Sequence, residues 1–445
     1  MNGAAKSNAC RQSEHTRPQA LHSPKLAALT LIMVAGVWSL LPAPARAEGL
    51  RNPPPGTFNL GRAGGRIAQI DDSSAITQNP ANLMDVAHPE VQFTPTVVYL
   101  KADYDSPSGM SAHTKDPWHV LPNLFASLPL RDGEYSLGLG VTTPYGLASK
   151  WDESGAFSRS GGNLRYASAY LADLKTVNIN PTVAVRPYKR LSVGVGFDVF
   201  WSELTLKQFY PWFLVTANPA DPDGVAKAKG DGVGFGGNVG ATWEVTDRQR
   251  FAVTYRSPVR VGYDGDFTVN NIPSTVPGIS ARSDFKSHIE FPTIVGAGYG
   301  LQLTDSIRVE VDVEWLEFSN FDTLPLDTKS APPGIPSRVR QDWKNTFTAG
   351  VGGDWKFATG WVLRGGYQFY ESPVPDRTFS PSIPDANQHV FTIGLGYRHG
   401  RHSLEVAYGL DFYDKRTITD NQTPAFNGTY NITVHLFSCA YGYAF

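Results

Sequence analysis

The 445-residue chain carries 39 Lys and Arg against 41 Asp and Glu, and this formal charge of −2 gives no electrostatic reason to expect nucleic acid as a partner. Aromatic residues make up 12%, with 43 Gly and only 4 Met, a composition of strands joined by turns. The two cysteines, Cys10 and Cys439, exclude a disulfide framework.

Residues 1–47 read as an export signal. Arg11, Arg17 and Lys25 form a positive n-region, Leu26 to Leu41 is an uncharged apolar run, and Ala45-Arg46-Ala47 supplies a small-x-small cleavage site. The apolar run is shorter than the roughly 20 residues a spanning helix needs. Cys10 leaves with this segment, so Cys439 becomes a lone thiol. Downstream of Ala47 no apolar run is long enough for a spanning helix, so a membrane form of the mature chain has to be a closed β-barrel, which also satisfies every backbone group.

Residues 48–90 do not alternate like strands. Pro53-Pro54-Pro55 stiffens an extended arm, Gly61, Gly64 and Gly65 permit tight turns, and Asp71-Asp72-Ser73 is placed to cap a short helix running toward Gln78. Pro80 stops that helix by pushing Asn79 out of the α region. A segment of this size cannot bury a core alone, and one standing ahead of a closed sheet fits a plug.

From Val91 to the C-terminus the two-residue period dominates, so residues 91–445 are expected to be the barrel. Bulky apolar side chains share one face and glycine or charge the other. Ile307, Val309, Val311, Val313 and Trp315, for example, alternate without a break with Arg308, Glu310, Asp312 and Glu314. In an exported chain this pattern fits lipid outside and a wet lumen inside. The fold class is therefore all-β, a transmembrane antiparallel β-barrel of about 14 strands. The strands are expected near 91–105, 118–130, 134–144, 168–187, 190–207, 230–246, 249–269, 285–303, 306–324, 341–357, 361–371, 387–398, 401–413 and 429–445. Short turns such as Thr246-Asp247-Arg248 and His399-Gly400-Arg401 belong on the periplasmic side, and longer links such as 145–167, 208–229 and 372–386 face outward.

The last strand puts Phe437, Cys439, Tyr441, Tyr443 and the terminal Phe445 on one face. Such an ending resembles the signal by which bacterial outer-membrane barrels engage their assembly machinery.

Gly61-Arg62-Ala63, Asp71-Asp72-Ser73-Ser74-Ala75 and Asn79-Pro80-Ala81 together resemble the N-terminal hatch of the long-chain fatty acid and aromatic hydrocarbon outer-membrane transporters, the FadL/TodX type. Further matches run through Tyr145-Gly146-Leu147-Ala148, Thr254-Tyr255-Arg256-Ser257, Ser372-Pro373-Val374-Pro375-Asp376 and Ser382-Ile383-Pro384-Asp385, so the resemblance covers essentially all of residues 48–445. It implies a monomer in the bacterial outer membrane whose lumen is closed by the hatch. Hydrophobic small molecules would be captured in an extracellular groove and leave sideways into the outer-membrane lipid beside a kinked third strand.

Gly138, Gly140 and Pro144 are the residues that could interrupt that strand, although lumen-facing glycines recur throughout the chain. Phe209, Trp212, Phe213 and Leu214 form an unusually apolar run in an outer link and are candidates for substrate capture. The resemblance also leads one to expect basic residues late in strand five and after strand nine. Here those regions, Trp201 to Leu206 and Phe318 to Pro325, hold no cation, with Lys207 and Lys329 close by, a departure that counts against a carboxylate ligand and raises neutral hydrocarbons or other lipids beside fatty acids.

An enzyme is not expected. The ten histidines are scattered, no His-Glu-x-x-His spacing occurs, and no cofactor, metal site or catalytic residue is assigned. A general porin or adhesin is the remaining alternative, and the N-terminal segment argues against a porin.

Overall fold

The computed structural model describes residues 49–445, and the export signal assigned to residues 1–47 lies outside them. The strands close an antiparallel barrel of 14. Five of these carry interruptions: β1 is Glu90–Phe93 and Thr96–Asp105; β2 is Ser111–His113, Trp118–Leu121 and Leu124–Leu130; β3 is Tyr135–Thr142 and Gly146–Lys150; β7 is Gln249–Arg256 and Val259–Val269; β8 is Arg282–Phe291 and Ile294–Gln302. The others are β4 Leu171–Tyr188, β5 Leu191–Tyr210, β6 Gly224–Thr246, β9 Ile307–Leu316, β10 Thr346–Ala358, β11 Trp361–Tyr370, β12 Gln388–His399, β13 His402–Tyr413 and β14 Gly428–Ala444. Closure comes from β14 against β1, with Ser438 opposite Thr96 and Ala444 opposite Glu90.

The alternation read from the sequence is the alternation of the wall. Phe197, Phe235, Trp243, Val253, Phe347, Ile393 and Val406 are exposed on the outer face, where an apolar band meets lipid. No helix among the described residues is long and apolar enough to cross a membrane; the chain crosses with strands.

The inner face departs from the expectation of a wet lumen. Residues 56–83 fold as a short helix Thr57–Gly61, a turn, a second helix Ala75–Gln78 and a 3₁₀ helix Pro80–Asp85, and nearly all of them are buried among lumen-facing side chains. The recurring glycines of the wall give this segment room. A Cβ at Gly240 would overlap the side chain of Asn79, and one at Gly194 would meet the backbone of Pro80. The contact at Gly64 is equally close from the other side: it has φ +80°, and a Cβ there would overlap the Tyr367 carbonyl oxygen and the Val351 nitrogen.

Some strand limits differ from the reading. β9 ends at Leu316 instead of running to 324, because a 3₁₀ turn at Phe318–Asn320 redirects the chain into a small separate hairpin, Thr323–Pro325 against Arg338–Arg340. β6 begins at Gly224, where Ala226 and Ala228 face inward and Lys227 and Lys229 outward, so part of the expected 208–229 link is wall. The link also contains a helical turn, Trp212–Thr216.

Replacing Gly64 with Ala is expected to cost more than ~1 kcal/mol, since both the left-handed backbone and the wall contact oppose it. Heat-modified gel migration should then shift to lower temperature, and planar-bilayer conductance should rise as the segment seats poorly.

Candidate functional site

The N-terminal segment is held in the lumen by paired charges. The Arg62 guanidinium, fully buried, lies 3.2 Å from Glu310 and 3.1 Å from Asp354, and donates to the Gln69 carbonyl at 2.8 Å. Arg66 lies 2.8 Å from Glu314, donates to Gln368 at 3.0 Å, and its backbone N–H reaches Asp312 at 2.6 Å. The second oxygen function of Glu310 is filled by the backbone N–H groups of Ile67 and Ala68, at 2.7 and 2.5 Å. Arg308 bridges Asp71 at 3.0 Å and Asp354 at 2.9 Å. Phe58 packs against two guanidiniums, with Arg62 5.6 Å and Arg364 4.5 Å from its ring centre.

Asn79-Pro80-Ala81 is both a helix boundary and a wall contact. Asn79 ends the Ala75–Gln78 helix and accepts from the Ala81 N–H, while Pro80 opens the 3₁₀ helix. The Asn79 amide donates to the Ile67 carbonyl and to Thr242 on β6, both at 2.8 Å. Asp72 accepts from the N–H of Ser74 and shapes the turn ahead of the helix, and Gly61 packs 3.2 Å from the Gly394 Cα as measured from an added Cβ. Residue types alone did not reveal Arg66, Glu310, Asp312 and Glu314 as partners. The available signal was two arginines four apart facing three acids at alternate positions of one strand.

The third strand breaks at Thr143–Tyr145, between its two pieces, and Pro144 sits in the break. Gly138 and Gly140 do not interrupt it. They pair normally with Ser127 and Phe125 of β2, and their missing side chains admit Ile76 and Leu83 of the plug. Backbone groups freed at the break are taken up by the N-terminal residues. The Asn52 N–H donates to the Pro144 carbonyl at 3.0 Å, the Gly146 N–H donates to the Leu50 carbonyl at 3.0 Å, and the Asn52 amide reaches the Thr143 carbonyl at 2.9 Å. Arg51, between them, lies 3.0 Å from Glu314.

The break opens the wall. Below it β2 and β3 pair from Leu124 opposite Val141, and above it they rejoin at Thr114 and Trp151. Between these points Trp118–Leu121 pairs only with β1, and Gly146–Lys150 only with β4. A cavity of about 550 Å³ occupies the gap. Its lining includes the buried, lumen-side Leu60, Tyr370 and Leu436, and also the outward-facing Trp118, Val120 and Trp201. The cavity therefore reaches from lumen to lipid face.

A second cavity of about 500 Å³ lies on the extracellular side, with Leu204, Leu206, Phe267, Ile289, Phe321 and Phe379 among its apolar lining. Leu147 and Leu174 line both cavities, and Leu50 faces the outer one. Cations absent from Trp201–Leu206 and Phe318–Pro325 are supplied by the following hairpin: Arg338 and Arg340 stand at the outer cavity, with Arg340 paired to Asp342 at 2.7 Å. Lys329 pairs instead with Asp284. Phe209 and Trp212 line neither cavity. Phe209 stacks on Tyr170 and under Arg165, and Trp212 is fully buried with its indole N–H on the Asn270 carbonyl, so these rings build the loop's own core. Phe213 packs edge-on against Tyr166, and Leu214 is 67% exposed.

Asp385, in the loop before β12, joins the N-terminal residues to this region. Burial pushes its carboxyl up to about 6, opposed by a hydrogen bond from Ser372, the nearby Arg416 guanidinium and the Gly49 N–H. Its unfolded value is about 3.9, so the folded loop binds the proton more tightly. The ionised form's penalty is fully present above pH ~6 and disappears as pH falls toward ~4.

A closed antiparallel barrel with an apolar outer face, its N-terminal segment buried against lumen-facing side chains, defines an outer-membrane β-barrel of the transporting kind. The chain belongs to the family of outer membrane protein transport proteins (OMPP1/FadL/TodX), whose model matches residues 40–445. It is 25% identical over 393 residues to the long-chain fatty acid transport protein of Salmonella typhi, covering 82% of this chain and 87% of that one. It is 23% identical over 438 residues to outer membrane protein P1 of Haemophilus influenzae, covering 87% and 92%. Among solved structures, a Pseudomonas aeruginosa FadL homologue superimposes with a TM-score of 0.77 at 21% identity, over 89% of this chain and 100% of that one. The P. putida toluene transporter TodX gives 0.69 at 16% identity, over 88% and 98%. These two likenesses concern the fold.

Glu310→Ala is expected to cost about 3–5 kcal/mol, because Arg62 loses a buried partner and two backbone N–H groups lose their acceptor. The measurement is thermal unfolding in detergent together with bilayer conductance, the first falling and the second rising. Amide exchange in the loop from Val374 to Asp385, corrected for intrinsic rates, should slow between pH 7.5 and 5, and Asp385→Asn should remove that dependence.

Proposed function

We propose that this protein takes up hydrophobic small molecules, long-chain fatty acids foremost, by capture at the extracellular cavity and sideways release through the gap between β2 and β3. The gap is the observation that carries the reading: its cavity is lined by both lumen-side and lipid-side residues. A greasy molecule gains nothing from a watery channel. A path from apolar cavity to wall opening to lipid avoids the cost of about 25 cal/mol per Å² of apolar surface exposed to water. Residues 48–90 act as a hatch, with Gly61, Arg62, Asp71, Asp72, Asn79, Pro80 and Ala81 as its anchors, which blocks the straight route to the periplasm. Pro144 sets the opening. Leu147 and Leu174, shared by both linings, stand where the two cavities meet, with Leu50 on the outer side.

Arg338 and Arg340 favour a carboxylate headgroup at the outer rim. The name of the Salmonella relative agrees with that substrate class. Aromatic hydrocarbon uptake is the second reading, supported by the Arg340–Asp342 pair, which leaves less charge for a ligand, and by the many apolar side chains in the lining. Leu214, at the loop surface, offers a first apolar contact, while Phe209, Trp212 and Phe213 hold its loop in place. The chain acts as a monomer, and Phe445 is read by the barrel assembly machinery.

Leu147→Trp fills the passage between the cavities without touching the hatch anchors. Uptake of labelled oleate by cells carrying this variant should fall about tenfold, on the scale of one blocked step, with the amount of barrel in the outer membrane unchanged. Uptake at the unmodified rate would remove the proposed route.

A further inference from the structure

Outside the lumen, one sector of the barrel carries a charge arrangement that the fold does not require. On the outward positions of the extracellular halves of β5 to β8, the ladder sets Lys207 directly opposite Lys227, Glu203 opposite Asp231, Asp231 opposite Asp264, and Asp266 opposite Asp284. Like charges facing each other across a ladder destabilise it. Opposite charges relieve most of this: Lys229 reaches Glu203 diagonally at 2.9 Å, Arg282 reaches Asp266 diagonally at 2.6 Å, and Lys286, directly opposite Asp264, reaches it at 2.8 Å. The side chains of Lys207, Lys227 and Asp231 make no hydrogen bond or ion pair among the described residues. A hollow of about 290 Å³ lies beside them, bounded by Lys227, Lys229, Arg282, Asp231 and Asp264.

The sector's height decides what it meets. Val233 is the apolar side chain that precedes the charged run on the outward face of β6, and Lys227 follows roughly 20 Å farther up the strand at ~3.3 Å per residue. That distance places the charges beside the headgroups and inner sugars of the outer leaflet. At comparable positions β14 carries Thr429, Asn431 and Thr433, and on β1 beside them Lys101 is paired with Asp103, so what sets this sector apart is its two facing lysines without a partner. The surrounding phase at this height is phosphorylated polysaccharide, whose phosphates complement facing lysines and whose hydroxyls donate to carboxylates.

We propose that this face docks a lipopolysaccharide molecule of the outer leaflet, with a phosphate between Lys207 and Lys227 and sugar hydroxyls on Asp231. Two facing cations then gain a shared anion, and the unpaired carboxylate gains donors.

The test is intact mass spectrometry of the protein extracted from its native outer membrane in mild detergent. Lipopolysaccharide should remain on the unmodified protein, and the Lys207→Gln/Lys227→Gln variant should retain about tenfold less, equivalent to losing one charge-assisted contact. Lys101→Gln on β1, whose lysine already pairs with Asp103, should retain the full amount. A second arm uses nanodiscs of phosphatidylglycerol without lipopolysaccharide, in which neither protein should retain lipid at this face. Equal lipopolysaccharide retention by the unmodified and doubly substituted proteins would overturn the proposal. So would phosphatidylglycerol retention that depends on the same lysines, because the face would then take any anionic headgroup. Both substitutions lie on the outer surface, and unaltered heat-modified migration confirms a folded barrel in each case.

Discussion

Two buried arginines fix where the N-terminal segment lies, and everything else in the lumen depends on that. Arg62 and Asp354 are fully withdrawn from water, as is Glu310, and a lone charge in that position would be far too costly to keep. Buried pairs of this kind contribute more to register than to net stability. Here they allow the segment one seat, because Glu310 must meet both Arg62 and the N–H groups of Ile67 and Ala68. The glycines of the facing strands make the same point through shape: the wall is thin where the segment presses closest, at Gly194, Gly240 and Gly352.

The same seating connects the plug with the wall opening. Breaking β3 at Pro144 would leave strand groups unpaired, and the chain uses its own N-terminal residues, Leu50 and Asn52, to complete them. Arg51 ties that short strap to Glu314, which also holds Arg66. Strap, plug and opening thus share hydrogen bonds through a few residues. Any displacement of residues 49–52 changes both the strand break and the boundary between the two cavities.

Much of this was legible in the sequence. Strict alternation at Ile307–Trp315 and in the C-terminal strand identified a wall with two unlike faces, and the turn-rich stretch around Gly61 identified a segment needing a larger partner. Pro144 was readable as a break because proline cannot serve in a ladder. Gly138 and Gly140 were ambiguous, since glycine weakens a strand and also clears space for a neighbour, and only the position of Ile76 decides for the second. The acids of β9 appeared to face water because sequence pattern distinguishes charge from lipid but not water from a buried arginine. The aromatic run near Trp212 was ambiguous for a related reason: an apolar loop can cover a ligand or its own core, and Trp212 is buried in the loop's own cluster. Arg338 and Arg340 could not be placed at the cavity because their hairpin folds back after β9 ends early.

Cargo is proposed to leave through the side of the barrel. A long-chain acid bearing a photoreactive group near its methyl end, crosslinked during uptake and mapped by peptide mass spectrometry, tests it most directly. Labels on Trp118 to Leu121 and on Trp201, at the wall gap, are the expected result. Labels on Val86, His88 and Arg364, at the periplasmic end beneath the plug, would contradict the account and put the route straight through the lumen.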